Sequence, residues 1–208
     1  MNAHPTPTLV RRRPSTRAHA RGMATLTVVA VLFFILSLVA AYTNRNLIFE
    51  QRTSGNQVRS TLAFEAAEAG VEWALSMLHS GRIDDNCVPS TDPARPSFRG
   101  RYLSIDPTSG VITPAGALAA DNGSTVWPSC VFNGNDWNCS CPTPGNAPAL
   151  AAPAGTEVYP AFRVRFVRLS LTQPSIVRIE VNGCTRLNDA CLDFPSTAGA
   201  GEGRVTVS

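Results

Sequence analysis

RGMATLTVVAVLFFILSLVAAYTN, residues 21–44, decides how the rest of the chain is read. From Met23 to Asn44 there is no charged residue. A helix of about 20 apolar residues spans the ~30 Å hydrocarbon core of a bilayer. The segment ahead of it, MNAHPTPTLVRRRPSTRAHARG, carries Arg11, Arg12, Arg13, Arg17 and Arg21 and no acid. Basic residues flanking a first apolar helix hold that side in the cytoplasm and send the remainder outward. The expected layout is a basic leader (1–22), a transmembrane helix (23–44) and an exported body.

Downstream, the helical pattern does not stop. Residues 45–80 contain no proline, and 61–78 is rich in strong helix formers. Leu62, Ala66, Ala69, Trp73 and Met77 recur at helical spacing and form the stripe expected to pack on a sheet. Glu65, Glu68 and Glu72 line another face, read as solvated or paired with a partner rather than as metal ligands. Gly55 is a soft point in this stalk and Gly81 a plausible stop. Beyond it, residues 81–208 read as a loop-rich and β head. Short strands are expected at 101–105 and at Val111-Ile112, around a turn at 107–110. NAPALAAPAG (146–155) reads as an exposed linker. Phe162, Val164 and Phe166 alternate with Arg163 and Arg165, then Val167, Leu169 and Leu171 shift phase, which suggests a bulge near Val167. After a turn at Gln173-Pro174, Val177, Ile179 and Val181 alternate with Arg178 and Glu180. Together these form an antiparallel hairpin with one apolar and one charged face. The terminal GRVTVS is a further strand with no closing segment, as in a chain truncated at its C-terminus. The fold class is therefore α+β: a long N-terminal helix packed on an antiparallel sheet.

The formal charge of the 208 residues is +3, but it resides in the leader. Without those five arginines, thirteen basic residues face fifteen acidic ones, so the body has no basic footprint for nucleic acid. Six cysteines lie beyond the apolar run, and an even number in an oxidising compartment reads as disulfides. Cys184 and Cys191 close a short loop. Cys139 and Cys141 are too close to pair comfortably with each other, so each is expected to reach elsewhere, with Cys87 and Cys130 as candidates; four cysteines allow three pairings, and sequence does not choose among them. Zinc would need ligand spacing such as C-x2-C, which is absent.

No catalytic constellation is visible. His4 and His19 fall in the leader, leaving His79 as the body's single histidine. Asp121-Asn122-Gly123 and Asn133-Gly134-Asn135-Asp136 hold oxygen ligands of the kind calcium takes, yet these residues also dominate plain turns, and no cofactor is expected. Trp127 and Trp137 flank Cys130, either packed beside a disulfide or exposed as a binding anchor.

A basic segment ending in Gly22, an apolar helix, a stalk helix and an antiparallel sheet resemble the type IV pilin superfamily. RGMATLTVVAVLFFILSLVAAY followed by FEQRTSGNQVRSTLAFEAAEAGVEWAL is similar, over about residues 20–78, to PilX-type minor pilins. The most specific part is FEAAEAGVEWAL (64–75), with Phe64, Glu65, Ala66, Ala67, Glu68, Ala69, Gly70 and Trp73 as the signature on the stalk. The resemblance implies cleavage by a prepilin peptidase between Gly22 and Met23 and N-methylation of Met23. It further implies residence in the inner membrane with the head in the periplasm, then incorporation into a pilus at the cell surface. The partners it implies are membrane lipid before assembly, the inner-membrane assembly platform, other minor pilins and the major pilin. One departure stands out: most pilins carry a glutamate at the fifth mature position, where this chain has Thr27. In the family that glutamate neutralises a neighbour's terminal amine, so its loss points to the filament tip and a role in priming assembly, with adhesion or twitching motility downstream. The alternatives are a tip pseudopilin of a type II secretion system and a periplasmic binding module tethered by an uncleaved anchor. A cleaved signal ending near Tyr42 is a weaker fit to the length of the apolar run.

Overall fold

The computed structural model describes residues 18–115, 127–143, 146–155, 158–170, 172–194 and 204–207. Helix α1 (Ala18–Leu78) is followed by α2 (Phe98–Tyr102), β1 (Leu103–Ile105), β2 (Ile112–Pro114), β3 (Ser129–Phe132) and β4 (Trp137–Ser140). Then come β5 (Ala161–Arg168), β6 (Val177–Cys184), α3 (Asp189–Leu192) and β7 (Arg204–Val207). The chain divides into two compact units, Met1–Arg52 and Thr53–Ser208, each taken by itself below. Helix, antiparallel sheet and disulfides make an α+β fold with the pilin-like layout expected.

In the second unit, five strands in the order β4-β3-β5-β6-β7 form one antiparallel sheet, and β1 with β2 forms a separate small hairpin. Phe162, Val164 and Phe166 point to one face, where they meet Val181 and Ile179 of β6 and the helix. The helical face lying there differs from the expected stripe. Its fully buried positions are Ala63, Ala66, Ala67, Gly70 and Ala74, while Leu62 and Ala69 lie at the flank and Trp73 and Met77 are half-buried. The reason is close approach. A Cβ on Gly183 of β6 would sit 2.1 Å from the Ala63 carbonyl oxygen and 2.5 Å from the Ala67 nitrogen. A Cβ on Gly70 would meet Val181 Cγ1 at 2.7 Å and the Phe162 ring at 2.9 Å. Only the smallest side chains fit where helix backbone and strand backbone come this near. Around that seam the larger rings close the core: Trp73 lies 5.5 Å from Phe98 and 5.6 Å from Phe162, and Trp137 lies 4.8 Å from Phe162.

Two further expectations need correction. β5 and β6 pair without interruption from Ala161↔Cys184 to Arg168↔Val177, so there is no bulge at Val167. The hydrophobic phase changes because the second face of the sheet is also covered: Val167 is buried there, and Val131, Ala161, Cys184, Cys191 and Leu192 form a second cluster. Residues 101–102 belong to α2 rather than to the strand, since Ser97 accepts at its hydroxyl from Gly100 N and caps a helical turn. The helix α1 runs through Gly55 and ends at Leu78, its last turn closed by His79 N to Ser76 O and Ser80 N to Met77 O. The 146–155 segment has no regular structure and is largely exposed, with Leu150 tucked against the second cluster.

The disulfides settle the pairing left open by spacing. They join Cys87 to Cys141, Cys130 to Cys139 across β3 and β4, and Cys184 to Cys191. Cys87 adopts a φ of +63°, held by a turn in which Asp84 Oδ1 accepts from Asn86 N and Val88 N, each at 2.8 Å. Buried Arg101 fastens the same corner, donating to the carbonyls of Ile83, Asp84 and Cys141 and to Asp85 Oδ1. Asp85 is held below the usual carboxylate range, first by its hydrogen bond from Arg95 and then by the nearby Arg101.

Candidate functional site

The first unit presents a helical surface with nothing of its own to cover it. From Met23 to Asn44 the helix has a mean hydropathy of 2.6 and no buried residue, and it is long and apolar enough to cross a membrane. Met23 is 74% exposed, Phe33 71% and Phe34 68%. Three hydroxyls within this stretch bond back to the helix itself. Thr27 Oγ1 donates to Ala24 O at 2.9 Å, within reach of Met23 O at 3.2 Å, Ser37 Oγ donates to Phe33 O at 2.8 Å, and Thr43 Oγ1 donates to Val39 and Ala40 carbonyls at 3.0 Å. A hydroxyl returned to its own backbone presents no unpaired donor to hydrocarbon. Thr27, the position at which the pilin resemblance expects a glutamate, therefore offers a neighbour neither charge nor a free donor proton.

In the second unit the signature residues divide by face. Ala66, Ala67 and Gly70 are buried against the sheet; Phe64, Glu65, Glu68 and Glu72 are exposed. Residues 21–72 match the family model of the PilX N-terminal region. The match covers about a quarter of the chain. It begins beside Gly22, takes in the whole uncovered apolar helix, and ends in the alanine-rich seam. This match supports a type IV pilus-related pilin, and it stops before the sheet begins. No curated protein and no solved structure matches the chain.

The remaining sequence candidates fall as follows. Residues 1–17, with His4 and the first four leader arginines, and Asp121-Asn122-Gly123 lie outside the described residues. Asn133-Gly134-Asn135-Asp136 is the β3–β4 turn: Asn133 Oδ1 accepts from Asn135 N and Asp136 N, each at 2.9 Å, and Gly134 takes a φ of +104°. Its side-chain oxygen is thus already used in the turn. Among the described residues no group of three or more His, Cys, Asp or Glu could hold a metal ion. His79 places Nδ1 2.9 Å from the Leu75 carbonyl on its own helix. The two tryptophans part to opposite faces of the sheet: Trp137 packs on Phe132 and Phe162 in the core beside Cys130–Cys139, and Trp127 is half-buried on the other face against Phe194, with the Arg163 guanidinium over its ring.

On that opposite face the sequence pattern concealed an ionic layer built around two buried groups, Arg163 and Glu180. Arg163 is 5% exposed; it donates from Nε to Ser129 Oγ at 2.9 Å, from Nη2 to Asp189 Oδ1 at 2.9 Å, and from Nη1 to Asp193 Oδ1. Two residues along β5, Arg165 donates through Nε and Nη2 to Glu180 Oε2, while Arg178 donates to Glu180 Oε1. Burial raises the Glu180 carboxyl, but the hydrogen bonds from Arg165 and Arg178 outweigh it and hold the group below its ordinary range. Arginines alternating with apolar residues look like a solvent face in sequence. Here acids from β6 and α3 cover them.

Proposed function

We propose that the chain is a minor pilin, a structural subunit that is cut after Gly22, methylated at Met23 and inserted at or near the tip of a type IV pilus. One observation carries the reading: the family match coincides with an apolar helix that has no cover of its own. Such a helix needs lipid before assembly and the helices of other subunits afterwards, and helices associate in hydrocarbon by close packing rather than by hydrophobic gain. In this reading the basic leader stays in the cytoplasm and the disulfide-bonded head lies in the periplasm. Partners are the prepilin peptidase, the inner-membrane assembly platform, the major pilin and other minor pilins. The role is structural and not enzymatic.

The tip placement rests on Thr27. A terminal amine buried in a helix bundle is costly unless a carboxylate is near. No residue from Met23 to Asn44 supplies one. A subunit without that carboxylate is best tolerated where no neighbour's amine lies ahead of it.

The deciding experiment is the mass and first residue of the protein recovered from membranes, with and without the prepilin peptidase. A chain starting at methylated Met23 only when the peptidase is present is the expected result. A start at Met1 in both backgrounds would sink the proposal. Immunogold labelling spread evenly along sheared filaments would refute the tip placement while leaving the pilin reading intact.

A further inference from the structure

We infer that the head carries a binding site for a neutral polyhydroxylated ligand, a pyranose sugar, on the face of the sheet away from α1. The site is a cavity of about 450 Å³ lined by Trp127, Asn146, Pro148, Arg163, Asp189 and Asp193. That volume is within the range of small-molecule sites, roughly 300–1,000 Å³. The inference rests on the head alone and stands or falls separately from the pilin reading.

The hydrogen-bonding inventory selects the ligand class. A guanidinium has five N–H groups. Arg163 uses three of them, on Ser129, Asp189 and Asp193, which leaves two donors. Each of those aspartates gives one oxygen to Arg163 and retains a second as an acceptor. Asn146 donates through Nδ2 to Thr143 Oγ1 at 2.8 Å, keeping its Oδ1 as an acceptor. The cavity therefore both donates and accepts. An ammonium ion only donates, and it would face Arg163. A carboxylate only accepts, and a phosphate, though it keeps an O–H, brings one to two negative charges; either would face two aspartates. Hydroxyl groups do both and carry no charge. Trp127 and Pro148 add apolar wall suited to the C–H faces of a sugar ring.

The segment that carries Asp189 and Asp193 is held in place before any ligand arrives. Cys184–Cys191 closes the loop that carries α3, and Asn188 Oδ1 caps α3 by accepting from Ala190 N at 2.9 Å. Asn182 Nδ2 of β6 donates to the carbonyls of Leu192 and Asp193 at 3.2 and 2.8 Å. The backbone that carries the two aspartates, fixed in this way, loses little freedom on binding.

The test is a tryptophan-fluorescence titration of the full chain in detergent micelles. The probes are glucose, galactose, mannose and N-acetylglucosamine, with choline and inorganic phosphate as charged comparators. The expected result is saturation by at least one sugar with a Kd of about 1 mM. Both Asp189→Asn and Asn146→Ala should weaken it about tenfold. Asn146 is exposed, so its variant keeps the test sound where Asp189→Asn disturbs the Arg163 pairing. Three outcomes overturn the inference: no saturable response to any of the four sugars, a response unchanged in both variants, or saturation by choline or phosphate alone.

Discussion

The two ends of α1 invert the usual relation between side-chain size and burial. Between Met23 and Asn44 the helix displays Leu32, Phe33, Phe34, Ile35 and Leu36, each at least half exposed. Between residues 63 and 74 it buries only alanine and glycine at its centre. Burying a large apolar side chain stabilises by about 1.5–3 kcal/mol, so the end with most to gain is the end with no cover. The comparison separates two kinds of contact. The sheet is a shallow bed that accepts helix backbone at close range and therefore selects small residues. The Met23–Asn44 helix, uncovered by any described residue, is the surface that the proposed pilin role gives to lipid and to other subunits.

The largest effect should come from breaking the close contact. Gly183→Val places a side chain where a Cβ already meets the Ala63 carbonyl oxygen at 2.1 Å, and no rotamer avoids backbone. The helix must lift from β6, at a cost of about 3 kcal/mol, the upper part of the usual range for overpacking. Urea unfolding of the head measures it. A loss under about 0.5 kcal/mol, typical of a surface change, would mean that helix and sheet are not seated this closely.

Next comes a charge in the uncovered end. Ile35→Arg should cost about 3 kcal/mol of membrane insertion, the difference between the two side chains near a helix centre, measured by fractionation, and leave the urea midpoint of the head where it was. The two substitutions should thus act on separate readouts. If Ile35→Arg lowers the stability of the head, or leaves membrane insertion unchanged, the division of labour along α1 is wrong.

How far the sequence alone reaches follows the same division. The uncharged run from Met23 to Asn44 needs nothing beyond composition to be read. The β5–β6 hairpin announces itself by alternation, and its register shows Arg165 opposite Glu180. What could not be read depends on contacts made far along the chain. Hydropathy favours Leu62, Trp73 and Met77 as the packing face, whereas the contact is set by Gly183, which no local pattern ties to Ala63. The apparent bulge at Val167 came from assuming one covered face; the cluster around Leu192 covers the other. Arg163 reads as a solvent residue until Asp189 and Asp193 are brought to it. Cavity and ionic layer alike stayed hidden for that reason.

The smallest effect predicted is one of pH, and it tests whether that ionic layer helps hold the sheet under α1. The Glu180 carboxyl is lowered in the folded head because Arg165 and Arg178 hydrogen-bond it more strongly than burial opposes its charge. In the unfolded chain it returns to an ordinary value near 4.5. A group whose folded value is the lower one contributes stability above its unfolded value, and that contribution is lost as pH falls through the folded value. Between about pH 6 and pH 3 the head should therefore lose stability, and Glu180→Gln should reduce that loss by about 1 kcal/mol, the scale of a net hydrogen bond. The upper helix supplies the control: no aspartate, glutamate or histidine lies between Met23 and Asn44, so its partition into membranes should not follow the same curve. An acid profile identical in wild type and Glu180→Gln would place the pH sensitivity elsewhere, with Asp85, lowered by Arg95 at the Cys87–Cys141 corner, the next carboxylate to substitute.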